Sequence, residues 1–517
     1  MARLPATVDG ANQPARPPIR PACCHLGEST TTWTYRLVYS FAVMIARRTR
    51  PVPPPTITAF LLVALSLLAP ERSAAQAAAP AVPLDYVEAS GHLRDAHESL
   101  KAADLLVRQR REEREAAKGI YWPKVTFGAT AVQLDAPIEM SVPVGGLFKA
   151  LPIPIPPSAI PGPLGLELQA IRFAEANVSA RLLLYTGGKA GAANRAAEDR
   201  ITEAEMAARR EAAALGTELA RRYFGLQVRE RQRAVRQEAL GLLDRLQGDA
   251  RKLEQEGLIA KTERLAAEVA HAEGERQLRA AESDIAIARV GLASLLSQPD
   301  TGPLTSPLFV VRDVEPVERF TATVETAHPA VAQVRALEAQ AEQGVRAQRG
   351  AFKPDVFLFA NQVVAQADLS DLVPRGIYGV GASWTIFDGP ERHKKLAAAE
   401  LQVQRAQALR ARAVRDLAAL VEVKYREMLK ARDQFDTLGR SIELAEENIR
   451  VRTLAFREGL ATTLEVVDAQ VQLSKARIER AAAAYQFDVA LAEMLEASGQ
   501  AERFDEYRRR GEEVREP

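Results

Sequence analysis

The chain has 517 residues, of which 68 are basic and 67 acidic, so its formal net charge is +1 at pH 7. This balance argues against a protein that binds nucleic acid or anionic lipid through a strongly basic surface. Aromatic residues make up 6% of the chain, and the long middle segments are built from Ala, Glu, Arg, Leu and Gln, a composition typical of long helices and coiled coils.

The first part of the chain contains a pattern typical of a secretory signal peptide. Residues 44–77 have a basic start, an apolar core and small residues before a plausible cleavage site at Ala75 or Ala77. The apolar core is too short for a membrane-spanning helix, which takes about 20 residues. Residues 1–43 show neither helical nor strand periodicity, so Met44 is a candidate for the true initiator. We therefore expect an exported protein.

Both cysteines, Cys23 and Cys24, precede the predicted cleavage site. We therefore expect a mature chain without disulfides, thiolate metal sites or thiol nucleophiles. No Cys follows the apolar core, so lipid attachment is not expected either.

Two β-strands are predicted in the first half of the chain. One begins after Pro123 in IYWPKVTFGATAVQL, and the other lies in NVSARLLLYTGGK, which starts at Asn177. Apolar residues alternate with other residues in both, as in a strand with one strongly apolar face. The Pro-rich stretch between them, APIEMSVPVGGLFKALPIPIPPSAIPGPLG, fits an exposed loop and not a core strand.

A long helical hairpin is predicted next, because no proline occurs between Lys189 and Gln298. Residues 189–256 would form a helix of about 100 Å. A Glu-Gly-Leu break at Gly257 follows, and residues 262–297 would run back along the first helix.

The second half of the chain repeats this order. Strands are predicted after Pro354 in AFKPDVFLFANQVV and in YGVGASWTIFDGPE, and long helices over residues 391–458 and 464–499, with a break at Gly459. The offset between the copies is 231 residues for the first strands (354 − 123) and 202 residues for the hairpins (459 − 257). The chain is therefore two copies of helix, strand, loop, strand and long helical hairpin.

The last helix has the apolar spacing of a coiled coil, with steps of three and four residues. The residues on this stripe are Leu464, Val467, Val471, Ser474, Ile478, Ala481 and Tyr485, and small Ala residues occupy other faces. The helices alone also fit an ordinary coiled-coil rod. The strands alone also fit a half-buried soluble sheet in which aromatic residues are core.

The duplicated order resembles the TolC-like outer-membrane efflux protein family over residues 90–498. The resemblance rests on Pro123 and Pro354 before the strands, on YTGGK and FDGPE before the long helices, and on the segment 458–495. It implies a mainly α fold with a β-barrel part. Three chains would pool four strands each into a twelve-stranded outer-membrane β-barrel, which closes the edges that lipid does not tolerate. A periplasmic α-helical barrel would continue below it.

The resemblance also implies a function, that of a passive exit channel from the periplasm across the outer membrane. Its partners would be two further copies of the chain, a periplasmic adaptor (membrane fusion) protein and an inner-membrane transporter, in a tripartite efflux or type I secretion system. The alternative is a periplasmic adaptor or a structural coiled-coil protein, although an adaptor would show one hairpin flanked by Gly-rich β modules.

Under this interpretation the chain divides into six segments. They are an N-terminal extension (1–43), the signal peptide (44–77), a first efflux repeat (78–298), a linker (299–328), a second repeat (329–498) and a charged tail expected to be disordered (499–517).

By resemblance, the two Gly-Leu breaks are helical tips at the periplasmic mouth, where the adaptor docks. Glycine permits the backbone of a tight reversal, and an exposed Leu offers an apolar anchor. The alternative is that these residues only form the turns. The predicted docking residues are Gly257, Leu258, Ile259, Ala260, Lys261, Thr262, Gly459, Leu460, Ala461, Thr462 and Thr463.

Glu465 and Asp468, with Glu263 in the first copy, occupy positions where the family places acidic residues at the pore entrance. The i, i+3 spacing puts the carboxylates of Glu465 and Asp468 on one helix face. In a trimer they would form a ring that favours cations; alternatively they are solvated surface acids. Ala461 stands where the family's type member has an Arg that helps hold the mouth shut, so this latch is not expected.

Tyr121, Trp122 and Trp384 lie near strand ends and are predicted to form a membrane-interface aromatic girdle. No nucleophile, base and pocket occur together, so we expect no enzyme, no cofactor and no metal site. TGGK at Thr186 lacks the full phosphate-loop pattern. The five histidines after the predicted cleavage site are too scattered for a ligand set, being His92, His97, His271, His328 and His393.

Overall fold

The computed structural model describes residues 83–143, 146, 153, 156, 163–368 and 374–514. The predicted extension and signal peptide, residues 1–77, lie outside these ranges. Within them, no helix combines the length and the hydropathy that crossing a membrane requires.

The described residues form nine α-helices and eight strands. In chain order these are α1 (Tyr86–Ala96), α2 (Glu98–Lys118), β1 (Lys124–Gln133), β2 (Ile138–Val142), β3 (Leu164–Gln169), β4 (Arg172–Tyr185), α3 (Lys189–Gln255), α4 (Lys261–Leu295), β5 (Phe309–Val310), α5 (Val317–Ala327), α6 (Pro329–Gly350), β6 (Asp355–Ala367), β7 (Gly376–Ser383), α7 (Glu391–Arg457), α8 (Thr463–Ala497), α9 (Phe504–Arg510) and β8 (Glu512–Glu513).

The two copies keep the predicted offsets. Helices α3 and α7 each have 67 residues and begin 202 positions apart (391 − 189), as do α4 and α8 (463 − 261). Helices α1 and α5 begin 231 positions apart (317 − 86). Because α5 lies inside residues 299–328, this segment is not a plain linker, and the second copy starts earlier than residue 329.

Four strands form one antiparallel sheet in the order β1-β4-β6-β7. Strands β1 and β4 come from the first copy, β6 and β7 from the second, and the β4–β6 pairing joins them. The repeats therefore share one sheet. The predicted fold class, mainly α with a β part, is confirmed.

The Pro-rich insertion contains more β-structure than the sequence suggested. Strands β2 and β3 pair as a separate two-stranded ribbon beyond the ends of β1 and β4. Met140 and Leu166 face each other in this ribbon and are both exposed. The expectation of an exposed segment without a core strand holds, but its flanks pair because alternating apolar residues meet across the ribbon.

Strand β7 ends earlier than its alternating pattern predicted. Its last residue, Ser383, pairs with Asp355, the first residue of β6, and Pro354 has no N–H to continue the ladder. The next residue, Trp384, instead donates its indole N–H to the carbonyl of Phe352 at 3.2 Å. Residues 384–388 are consequently not a strand.

The long helices pack side by side. Helix α3 contacts α4 and α8, and α8 contacts α7, so the order across the hairpins is α4-α3-α8-α7. Nearer the sheet, α3 also packs against α2 and α6, and α6 against α7. Since α4 and α7 lie at the two edges of this layer, each keeps one flank without a neighbour among the described elements.

The buried face of α8 differs from the predicted stripe. Val466, Ala469 and Leu473 are buried, whereas Leu464 and Val471 of the stripe are exposed. At these two positions the stripe does not face the neighbouring helices of its own chain, whereas Val467, Ala481 and Tyr485 of the same stripe pack against buried residues. The small residues expected on other faces, Ala469, Ala476 and Ala483, are all buried.

The charged tail is folded, contrary to expectation, up to the last described residue, Val514. Phe504 and Tyr507, one helical turn apart on α9, are buried, and β8 pairs with β5. Phe504 joins an aromatic cluster in the middle of the molecule, formed by Tyr86, Tyr223, Phe224, Phe309, Phe487 and Phe504. Burial of two aromatic side chains outweighs the cost of ordering a short charged segment.

Candidate functional site: hairpin tips and sheet faces

Both Gly-Leu breaks are Schellman turns. Gly257 and Gly459 adopt φ of 75° and 70°, which favours glycine. The N–H of Leu258 donates to the carbonyl of Leu253, and that of Leu460 to the carbonyl of Ala455, each at 2.8 Å. These bonds satisfy the last free carbonyls of α3 and α7.

The two tip leucines point away from the protein. Leu258 is 63% exposed and Leu460 is 83% exposed. A Schellman turn often packs the residue after its glycine back onto the helix, and here that contact is not made. Each tip therefore presents one free apolar side chain.

The remaining predicted docking residues divide into buried and exposed ones. Ile259 and Ala461 pack against the tip core around Phe456 and Val466, and Thr463 is fully buried. Ala260 and Thr462 are the N-caps of α4 and α8. Lys261 and Thr262 are exposed. Docking at these positions stays a prediction.

Glu263 ties the two hairpins together. Its Oε2 accepts a hydrogen bond from the backbone N–H of Thr463 at 2.8 Å, and its carbonyl accepts one from Thr463 Oγ1 at 3.1 Å. Glu263 therefore helps cap α8, a helix of the other hairpin.

Glu465 is also engaged locally. It accepts from the N–H of Thr462 at 3.0 Å, forms a capping box with Thr462, and pairs with Arg452 Nη1 at 2.9 Å. The Thr462 N–H and the Arg452 guanidinium hold the pKa of Glu465 below its ordinary value. Asp468 is exposed, with no ion pair among the described residues. Of the predicted acidic ring, only Asp468 has neither an ion pair nor a side-chain hydrogen bond among the described residues.

One face of the four-stranded sheet is almost wholly apolar. Cross-strand pairing places alternate residues of all four strands on this face, which we call the apolar face. Its charged and amide members in the paired region are Gln362 and, where β1 pairs with the start of β4, Gln133 and Arg172. Its other members include Val125, Phe127, Val178, Ala180, Leu182, Leu358, Ala360, Tyr378 and Val380.

The opposite face, here called the polar face, carries charged and amide side chains. Thr126 and Ser179 hydrogen-bond across it at 2.7 Å. Lys124, Glu175, Asn177, Arg181 and Asn361 share this face. A sheet with one apolar and one polar face separates lipid from water when it is part of a membrane barrel.

The model of the outer membrane efflux protein family matches residues 90–298 and 323–500. The chain belongs to this family. It is accordingly a channel component of the outer membrane that extends into the periplasm, and the family is one of transport proteins.

Solved structures of similar fold are outer-membrane proteins. VceC from Vibrio cholerae has a TM-score of 0.63 at 18% identity, covering 80% of this chain and 96% of that one. The open-state MtrE channel of Neisseria gonorrhoeae has a TM-score of 0.64 at 17% identity, covering 80% of this chain and 89% of that one. The CmeC channel of Campylobacter jejuni has a TM-score of 0.65 at 13% identity, covering 82% of this chain and 89% of that one. No curated protein matches this chain in a sequence comparison.

The three predicted interface aromatics of the efflux protein lie at one end of the sheet. Tyr121 and Trp122 precede β1 and Trp384 follows β7, and both strand ends adjoin helices. All three side chains are exposed, Trp122 by 74%. Their position fits one girdle on the periplasmic side, which stays a prediction.

Two of the histidines cap helices and so have a structural role. His97 and His328, 231 positions apart (328 − 97), cap α2 and α6, each accepting at Nδ1 from the backbone N–H two residues on. Burial, followed by Arg210, lowers the pKa of His328. Among the described residues, no group of His, Cys, Asp and Glu side chains is arranged to hold a metal ion.

Sequence reasoning missed Arg452 and the capping role of Glu263. Arg452 lies 13 residues before Glu465 and meets it only because the hairpin turns between them. The pair Thr462 and Glu465 did carry a signal, since Thr-x-x-Glu before a helix is a capping box.

Proposed function

We propose that three copies of this efflux protein assemble into one continuous passage from the periplasm through the outer membrane, with the hairpin tips as its periplasmic mouth. The channel is passive. Its energy comes from an inner-membrane transporter, joined through a periplasmic adaptor.

The four-stranded sheet is the observation that carries this proposal. Strands β1 and β7 are its edges, and neither has an outer partner among the described strands. An open edge is unsatisfied in lipid, and four strands are too few to close on themselves. Pairing β1 of one copy with β7 of the next, three times around, removes every edge and keeps the apolar face outward.

The helical layer supports the same arrangement. Its edge helices expose apolar side chains on flanks that no described element of their own chain covers. On α4 these are Leu265, Val269, Ile287 and Val290, and on α7 they are Leu420, Val423, Leu444, Val451 and Leu454. Contact between α4 of one copy and α7 of the next is head-to-tail and closes into a ring.

The tips support adaptor docking. Leu258 and Leu460 are exposed apolar side chains on turns whose backbone bonds are satisfied, so they can be covered without breaking the fold. Tripartite drug or metal-ion efflux and type I protein secretion would use the same tips. Substrate capture would occur in the transporter, so that partner makes the first selection of cargo.

Assembly and channel activity test the proposal together. Membrane fractionation followed by chemical cross-linking is expected to give an outer-membrane trimer, and the purified protein is expected to conduct ions in planar bilayers. Ile287→Glu should reduce the trimer, because it places a charge on the apolar flank of α4, whereas Ile287→Leu should retain it. Single copies that pass no current would contradict the proposal and favour a structural coiled-coil protein.

A further inference from the structure

The polar face carries two cations side by side near the helix end of the sheet. Lys124 on β1 lies directly opposite Arg181 on β4, and Arg181 lies opposite Phe359 on β6, which faces Gly379 on β7. These four residues form one row across the sheet, here called the basic row. Like charges directly opposite each other destabilise an antiparallel pair.

No carboxylate among the described residues forms an ion pair with Lys124 or Arg181. The nearest acidic residue along β6, Asp355, is paired with Lys189 at 2.7 Å. Glu175 lies six residues along β4 from Arg181, or about 20 Å at the rise of an extended strand. The basic row therefore keeps its positive charge.

Two aromatic rings, those of Phe357 and Phe359, lie beside the Arg181 end of the basic row. The guanidinium carbon of Arg181 lies 3.8 Å from the ring centre of Phe357, and the rings of Phe357 and Phe359 are 6.2 Å apart. A methyl group added to Gly381 would meet the Phe357 ring at 2.7 Å. The rings consequently lie across the glycines of β7, and both remain partly accessible.

We propose that the basic row and the adjoining Phe357 form a lumen site that binds anionic aromatic compounds as they pass. This inference rests on the proposed trimer, in which the polar face lines the lumen. Three copies then give a ring of six cations and six phenylalanine rings where the barrel meets the helical passage. The anion pairs with Lys124 and Arg181 while its ring stacks on Phe359.

The chemistry selects against two other classes of cargo. Free metal cations and cationic amphiphiles are repelled by six unpaired positive charges in a confined lumen. Small inorganic anions gain the charge interaction but not the aromatic contact, so they are held more weakly. An aromatic carboxylate or sulfonate gains both.

Ion selectivity tests the charge. In bilayers under a KCl gradient, the double variant Lys124→Gln with Arg181→Gln should shift the reversal potential toward cation preference, and Lys124→Glu with Arg181→Glu should shift it further. Arg172→Gln with Arg375→Gln removes the same charge from the far ends of β4 and β7 and should shift it less. A basic-row shift no larger than this control overturns the inference.

Probe binding tests the aromatic part. Naphthalene-2-sulfonate should reduce the current of the unmodified channel, and Phe359→Leu should weaken this block about fivefold, the equivalent of about 1 kcal/mol for one aromatic contact. 1-Naphthylmethylammonium should block less than the sulfonate. Equal block by both probes overturns the inference, whereas absence of any current contradicts the trimeric channel itself.

Discussion

The carboxylate of Glu263 on α4 accepts a 2.8 Å hydrogen bond from the backbone N–H of Thr463, the first residue of α8. Thr463 is fully buried, and its hydroxyl donates back to the carbonyl of Glu263. The two hairpins, whose tips lie 202 residues apart in sequence (459 − 257), are thus joined where the N-terminus of α8 is capped by a side chain of α4.

Removing this carboxylate should loosen both tips. We expect Glu263→Ala to cost about 1 kcal/mol of local stability, as for loss of a helix cap, and to speed hydrogen exchange at the Thr463 amide. Glu263→Gln keeps a carbonyl acceptor and should exchange at an intermediate rate. Glu256→Ala, at an exposed position on the first tip, is the control. Exchange equal to the control would show that the bond does not hold the tip.

Acid should release the Glu465–Arg452 pair. The pKa of Glu465 is lowered from 4.5 by the Thr462 N–H and by Arg452. A lowered carboxyl pKa contributes stability that is present above the ordinary pKa and is lost as the pH falls through the lowered value. We expect hydrogen exchange at 460–466, corrected for intrinsic rates, to rise below pH 4.5. In Arg452→Gln the rise in exchange should begin at higher pH. If the pH dependence of exchange is the same in this variant, the Glu465–Arg452 pair does not stabilise the tip.

Asp468 should carry the cation preference of the periplasmic mouth. It is exposed and unpaired among the described residues, whereas Arg452 already neutralises Glu465. Asp468→Asn is expected to shift the reversal potential toward anions, and Glu465→Gln to shift it less. Glu502→Gln, on an exposed residue outside the hairpins, should have no effect. If selectivity does not change in Asp468→Asn, the acidic residues are solvated bystanders.

Asp488 should make the protein less stable as the pH rises. This carboxyl on α8 is fully buried, and neither oxygen is in a hydrogen bond of normal geometry among the described residues. Burial raises its pKa well above 3.8, against a smaller lowering by the nearby backbone N–H of Phe309. The unfolded chain ionises at lower pH than the folded one, so stability falls between the ordinary and the raised pKa.

Asp488→Asn should remove this penalty. We expect a gain at neutral pH, because Asn is neutral without a bound proton whereas the buried Asp488 must keep one above its ordinary pKa, at about 1.4 kcal/mol per pH unit, and a small effect at pH 4. Thermal unfolding followed by circular dichroism at both values measures it. A difference between the two proteins that does not grow with pH would mean that Asp488 is solvated or paired in the assembled channel.

The sequence by itself determined the helices, the strands and the turns between the long helices, because each depends on residues that are close together along the chain. Two proline-free tracts of helix-forming residues predict α3, α4, α7 and α8 close to their observed bounds. Glycine before Leu predicts the reversals at Gly257 and Gly459, and alternating apolar residues predict the strands of the sheet. The repeat offsets follow from the sequence for the same reason.

Only the tertiary structure decided which side chains meet. The stripe of α8 at Leu464 and Val471 has coiled-coil spacing, yet α8 buries Val466 and Leu473 instead, because its neighbours in the layer are α3 and α7. Phe504 and Tyr507 lie in a segment that is otherwise mostly charged. This segment is ordered because the two side chains are buried, Phe504 against the aromatic cluster. Likewise Lys124 and Arg181, 57 residues apart (181 − 124), become neighbours only through strand register. Long-range contacts of this kind depend on chain topology, which residue spacing along one element does not encode.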